Sequence, residues 1–266
     1  MGTISKALEL LNYFSRTRPA IGLGEFVRLS GRDKATVHRH LVELHENGFL
    51  EQNPESRAYR LGPAILRLSG VREATYPVRS VLRPVVTRMA EAVGELVHAS
   101  VLQGELLSPA FHSDPLGHGT QVHFDEGEML PLHATSSGLA VLAFAPDGFR
   151  EAVLRAPLPA ITAQTVTDAG ALRGLLDEVR HTGIARLDRA FDQEVASQGA
   201  PVFGPAGEVV GAISIAIPAV RSTTEKMDAA LPALRQGIVE ATRALGGNLP
   251  KEHAGKWEVS QPETVD

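Results

Sequence analysis

The first sixty residues place apolar side chains at helical spacing between short polar breaks. Thr3-Ile4-Ser5-Lys6 opens a run carrying Ala7, Leu8, Leu10, Leu11 and Phe14, which halts near Arg18-Pro19; this is the pattern of an amphipathic helix. A second short helix is predicted over 23–29, closed by Ser30-Gly31. A third starts near Asp33-Lys34, buries Val37, Leu41 and Leu44, and stops at Asn47-Gly48, where glycine supplies the left-handed residue that ends a helix cheaply. Residues 49–52 and 58–61 flank the turn-rich Asn53-Pro54-Glu55-Ser56-Arg57, which predicts a β-hairpin.

Beyond residue 62 the pattern changes character. Pro63 opens a predicted connecting helix with Gly70 as its weak point, and a further helix runs to about Val93. From Leu96 the apolar period becomes two, predicting a hairpin around Gln103-Gly104-Glu105. Residues 113–128 read as a loop with one strand over 120–124. Helices are expected over 136–144, 149–156 and from an Asp168 cap to His181. Strands are expected over 183–189 and 199–217, the latter folded at Gly204-Pro205-Ala206-Gly207, with a last helix over 224–245. The division predicted is 1–62, a linker helix over 63–78, a mixed domain over 79–248, and a polar, aperiodic tail over 249–266 expected to be disordered.

Composition narrows the class. Hydrophobic residues make up 43% of the 266 and charged residues 21%, enough to bury a full core. No apolar run has the length of a bilayer span and the start lacks a secretory apolar region, so a cytoplasmic protein with no membrane partner is expected. The absence of cysteine excludes disulfides, thiolate metal sites and cysteine nucleophiles. Net charge is −5, which alone speaks against a nucleic-acid partner. Residues 1–70, however, hold ten Lys/Arg against seven Asp/Glu, and the remainder 16 against 24, giving +3 and −8. A basic head on an acidic body is expected where only one part of a chain meets phosphate.

Three short helices followed by a hairpin make a winged helix-turn-helix, whose second motif helix enters the major groove of double-stranded DNA. On the third helix Lys34, Thr36, Arg39 and His40 are the candidate DNA-reading residues, with Arg32 in the preceding turn and Arg57 at the wing tip. Phosphate contacts would supply affinity, and Arg39 and Thr36 base reading.

The run GRDKATVHRHLVELHENGFLEQNPESRAYRLGPAILRL resembles the N-terminal domain of the IclR family of bacterial transcriptional regulators. Lys34, Thr36, Arg39, Gly48-Phe49 and Tyr59-Arg60-Leu61-Gly62 fall at that family's motif positions. LPLHATSSGLAVLAF resembles the segment opening its effector-pocket helix, and APVFGPAGEVVGAISIAIP its final pocket hairpin, so the likeness spans residues 3–248. The resemblance implies an α+β chain: a winged helix-turn-helix, a linker helix, and a GAF-like effector domain of antiparallel sheet with flanking helices. It implies a repressor of a metabolic operon, binding operator DNA as a homodimer or dimer of dimers under control of a small metabolite.

By position the resemblance assigns Ser136, Ser137 and Gly138 to the loop holding the effector and Ser214 to the last pocket strand. Ser197 falls where some members place a cysteine, and Asp192 is a looser match. The residues add their own argument: backbone N–H groups and hydroxyls meeting at a helix start suit a carboxylate, so an organic acid is expected as effector. Val101, Leu132, Ile213 and Ile215 are candidate apolar walls. Helix capping is the simpler role for the serines. Three departures touch the pocket: Leu139 stands where many relatives have lysine, the stretch 194–201 is short, and Ala216 replaces a second serine.

His98, His112, His118, His123 and His133 cluster near the first hairpin, and His98 and His112 are expected to face the same way. Without HxH or HExxH spacing no metal or other cofactor is expected. The competing class is a hydrolase-like enzyme domain fused to a DNA-binding head. No GxSxG, GxxxxGK[ST] or GxGxxG occurs, and no catalytic residue is assigned.

Overall fold

Helix α1 (Thr3–Glu9) runs into a 3-10 turn, and α2 (Leu23–Ser30) and α3 (Lys34–Glu46) follow in a computed structural model that describes residues 2–257. Asp33 caps α3 by accepting from the Thr36 N–H at 2.8 Å. Strands β1 (Leu50–Gln52) and β2 (Tyr59–Leu61) pair antiparallel as the wing. Phe26 is fully buried at the centre of this unit, edge-on to Phe14 and Tyr59 at 5.7 and 6.3 Å, with Leu10, Ile21, Val37 and Leu41 around it. Helix α4 (Pro63–Thr75) completes the unit, which ends at Pro77. Of α4 only Ala64 is buried; Leu66, Leu68 and Val71, and Tyr76 just beyond, stand exposed.

The second unit starts with α5 (Val78–Val93) and the hairpin β3 (Leu96–Gln103) and β4 (Leu106–Ser113). A two-residue strand β5 (Leu130–Pro131) leads to α6 (Ser136–Phe144), α7 (Asp147–Arg155) and α8 (Ala169–Thr182). Then come β6 (Ala185–Asp188), β7 (Val195–Phe203), β8 (Val209–Pro218), α9 (Thr224–Ala244) and α10 (Lys251–Trp257). The six strands form one antiparallel sheet in the order β5-β4-β3-β8-β7-β6.

Period-two alternation splits the residues of this sheet between two cores. Val97, Ala99, Ala200, Ile213 and Ile215 pack under α5 and α9. Leu107, Ala212, Phe203 and Val209 pack with α6, α7 and α8 on the other face. His98, Ser214 and Gly199 lie in register across β3, β8 and β7 on that second face, opposite in parity to Ile213 and Ile215.

Three expectations are corrected. No strand forms over 120–124: Phe124 lays its ring on the sheet instead, stacked on His98 at 4.5 Å, and Asp125 closes a turn by accepting from the Gly127 N–H. β7 begins at Val195 rather than 199, which brings Ser197 into the sheet. The tail does not start at 249 as a disordered segment. Lys251–Trp257 is helical, with Trp257 and His253 each 1% exposed. Trp257 packs over Gly183 and His253 bonds the Arg180 carbonyl at 2.9 Å, so one large aromatic supplies the burial that a periodicity reading misses. Residues 258–266 of that expectation lie outside the described residues.

Candidate functional site

Helix α3 sorts its side chains by the 3.6-residue period. Val37, His40, Leu41 and Leu44 point into the head's core, while Lys34, His38 and Arg39 are exposed and Thr36 is half-buried. Lys34, Thr36 and Arg39 therefore stand where the sequence places them. His40 does not: it is 2% exposed and burial holds its pKa below the usual histidine value, with Arg39, Arg32 and Lys6 adding to the shift. His38 takes the exposed position instead, and the spacing of His40 from Val37 and Leu44 was the signal for it.

Arg32 is also turned to structural use. Its guanidinium donates to the Lys6 carbonyl at 2.9 Å and pairs with Glu9, pinning α1 to the turn before α3. The Arg32 hydrogen bond holds the Glu9 carboxyl below its ordinary pKa. Arg57 sits exposed at the wing tip with φ of 58°, in the left-handed region. Gln52 Nε2 and the Asn53 side chain brace that turn, the first donating to the Arg57 carbonyl and the second accepting from the Glu55 and Ser56 N–H groups.

In the second unit a cavity of about 130 Å³ lies on the α6 face of the sheet. Thr135, Ser136 and Ser137 at the start of α6, His98 on β3 and Ser197 on β7 bring polar groups to it. Its apolar walls are Val122, Phe124, Leu130, Leu187, Phe191 and Val195. Asp192 lines it too, with Asp125 and Glu128 from the 114–129 loop. Two glycines make the site's geometry. A side chain at Gly138 would meet Leu132 and Pro131 backbone atoms at 2.6 Å, and one at Gly199 would strike the Ser214 hydroxyl. Without them α6 would be held off the strands beneath it.

Four sequence-assigned residues thus meet at the cavity: Ser136, Ser137, Asp192 and Ser197. Two stand behind it. Ser214 is fully buried and its hydroxyl shares a 2.8 Å hydrogen bond with that of Ser136. The Gly138 N–H is occupied by the capping Thr135 hydroxyl at 3.0 Å. Ile213 and Ile215 face α5 and α9, and Leu132 belongs to the core under α6; neither they nor Val101 line the cavity. The loop residues Val122, Phe124, Asp125 and Glu128 went unassigned because nothing in their local sequence points to a sheet twenty residues away, whereas His123, one of the histidines noted near the first hairpin, lines the cavity together with His98.

Burial pushes the His98 imidazole down to about pKa 3, helped by His112, so this ring is neutral at physiological pH. Its Nδ1 lies 3.3 Å from the Ser100 hydroxyl. His112 directly opposes it on β4, as the sequence suggests, and donates from Nδ1 to Glu126 at 2.8 Å. Glu126 lies 3.6 Å from Arg79, in the first turn of α5. The same loop is tied at its other end to Glu95, which is 2% exposed. Burial would raise the Glu95 pKa, but paired hydrogen bonds from Arg221 at 2.8 and 2.7 Å, with Lys226, outweigh it and hold the carboxyl ionised. Arg221 also donates to the Thr120 carbonyl, anchoring the loop over the cavity. No group of three metal-ligating side chains that could hold an ion occurs among the described residues.

A winged helix-turn-helix joined to a unit with a polar cavity on a curled antiparallel sheet is the build of a one-component transcriptional regulator. Residues 3–54 match the IclR helix-turn-helix domain, and residues 74–240 match the bacterial transcriptional regulator IclR C-terminal domain. The chain belongs to the IclR family. It is 30% identical to the HTH-type transcriptional regulator BhcR of Paracoccus denitrificans, over 95% of this chain and 89% of that one. An IclR transcriptional regulator from Silicibacter sp. TM1040 has a similar structure, with a TM-score of 0.85 and 46% identity, covering 94% of this chain and 99% of the other. An IclR homolog from Microbacterium hydrocarbonoxydans, complexed with 4-hydroxybenzoate, aligns with a TM-score of 0.74 and 25% identity over 92% and 99% of the two chains. Among the described residues no helix is long and apolar enough to cross a membrane.

Proposed function

We propose that this chain is an effector-responsive repressor of a metabolic operon, working in the cytoplasm as a homodimer or dimer of dimers. The observation that carries the reading is the cavity itself: Ser136, Ser137, Ser197 and a neutral His98 converge on one small space in a chain whose other unit is a winged helix-turn-helix. Lys34, Thr36, His38 and Arg39 face the major groove, and Arg57 reaches a phosphate at the wing. The exposed apolar residues of α4, Leu66, Leu68 and Val71, supply a seam for the second copy.

The effector carries a carboxylate, held at the start of α6 where the Ser136 and Ser137 N–H groups and hydroxyls lie. The 4-hydroxybenzoate in the Microbacterium relative is an acid of that kind. Regulation is linkage: the effector moves the protein only as far as it prefers one arrangement over another. A ligand pressing on Phe124 moves a loop whose Glu126 meets both His112 and Arg79, and α5 begins directly after the residue that ends the DNA-binding unit.

The test is fluorescence anisotropy with a labelled duplex from the region beside the gene, repeated across salt and with candidate acids. Binding that weakens steeply with salt and is relieved by an acid supports the proposal. Absence of duplex binding, together with turnover of a metabolite, overturns it in favour of an enzyme.

A further inference from the structure

The large sheet ends at β6, and past that edge strand its two helix layers have no further strand between them. α8 packs with the core on one face and α9 with the core on the other. Between them lies a second cavity, of about 280 Å³, which shares no lining residue with the first. Leu175 and Val179 of α8, Leu231 of α9, Ile184 and Leu139 make its walls apolar. Leu139, at 1% exposure, marks its inner end. The leucine that departs from the lysine of many relatives therefore opens here and not on the effector cavity.

Four charged side chains also line this space, and they are not equivalent. Arg186 of β6 pairs with Asp228 of α9 at 2.6 Å, so those two charges answer each other. Arg235 of α9 has no such partner. Among the described residues its guanidinium makes neither hydrogen bond nor ion pair, and its Nε is buried and unbonded. Glu178 stands exposed on α8 and does not pair with it. A buried N–H donor without an acceptor costs stability until one arrives. The Nε edge of a guanidinium, with the amino group beside it, presents two parallel donors that match the two oxygens of a carboxylate. A ligand that satisfies both the donors and the walls carries an acid group on an apolar chain.

We infer that this cavity is a second ligand site, for a monocarboxylate with an apolar chain. Arg235 holds the carboxylate side-on, and the chain lies against Leu175, Val179 and Leu231. The site is separate from the effector cavity and does not depend on the reading given to that one. A bare inorganic anion would leave the apolar walls wet, and an uncharged chain would leave Nε unbonded.

The test is calorimetry on the full chain with butyrate, hexanoate and octanoate, the matching primary alcohols, and inorganic phosphate. Hexanoate or octanoate should bind at least about tenfold more tightly than its alcohol, as expected for a bidentate charge-assisted pair. Lengthening the acid from butyrate should tighten binding by up to about fourfold per methylene. Arg235→Gln should bring the acid to within about threefold of the alcohol. Should that variant unfold, Arg235→Lys, which keeps the charge and loses the paired donors, is read instead and should fall between the two. Glu178→Gln, which removes the unpaired carboxylate, should bind the acid at least as tightly as the wild type; weaker binding would overturn the inference. An alcohol bound as tightly as its acid would overturn it and leave an apolar cleft. Phosphate bound as tightly as hexanoate would overturn it in favour of a simple anion site. Acid binding that survives Arg235→Gln but is lost in Ser137→Ala would move the acid to the effector cavity, and survival in both variants would place it elsewhere. Either result would overturn the inference, as would binding by none of the probes.

Discussion

The two units hold their functional side chains in opposite ways. In the head, one exposed stripe of α3 carries Lys34, His38 and Arg39, and the opposite stripe builds the core. In the effector unit, the cavity draws on residues as far apart in sequence as His98 and Ala216, almost all of them at least half-buried. The first arrangement lets a surface residue change without disturbing the fold. The second does not, because the same atoms that shape the cavity close the core around it. Substitutions should therefore separate affinity from stability in the head and confound them in the pocket.

The sharpest way to break this contrast is Gly138→Ala. The new methyl group would meet backbone that cannot swing aside, so the effector unit should lose about 3 kcal/mol of stability, read by urea denaturation. Gly148→Ala, in α7 with open space around it, is the control and should be neutral or slightly stabilising. Next in size is Arg39→Ala, which should cost about 1–3 kcal/mol of operator affinity while leaving the melting temperature of the head unchanged. A lowered melting temperature would place Arg39 in the fold rather than on the reading face.

Acid should sharpen the comparison from the other side. His98 stays neutral in the folded state down to about pH 3, whereas in the unfolded chain it takes up a proton near its ordinary value. The unfolded state then binds the extra proton, so this contribution to stability is complete above about pH 6.5 and is lost as pH falls towards 3, at about 1.4 kcal/mol per unit. His98→Gln should flatten that slope in pH-dependent thermal melts. His40, also held down by burial, gives the head a slope of the same sign.

The smallest effect belongs to the wing. Arg57→Gly should relieve about 1 kcal/mol of left-handed strain while making the salt dependence of operator binding shallower by about one unit of slope. An unchanged slope with altered sequence preference would mean that Arg57 reads groove shape.

What the sequence disclosed follows the same division. Local patterns carried far: the Asp168 cap, the Val37–Leu41–Leu44 stripe, both hairpins and the opposition of His98 and His112 are all read from spacing of a few residues. Arg32 misled because a charged residue in a turn looks free, and its partner Glu9 lies on another helix. Ser214 misled by position: the strand's parity aims it at α6, yet Ser136 covers it. The loop carrying Phe124, Asp125 and Glu128 was illegible, since its role depends on where Arg221 and Glu95 pin it.

Trp257 is the one tryptophan in the chain, and its indole lies against Gly183 at the junction of α8 and β6. The protein's near-ultraviolet emission is consequently the signal of a single site. While α10 is seated the indole is shielded and emits towards the blue; if α10 lifts, the emission moves to the red and opens to quenching by iodide. A red shift that precedes the loss of helical circular dichroism on heating would mark α10 as the first segment to leave, with no label attached.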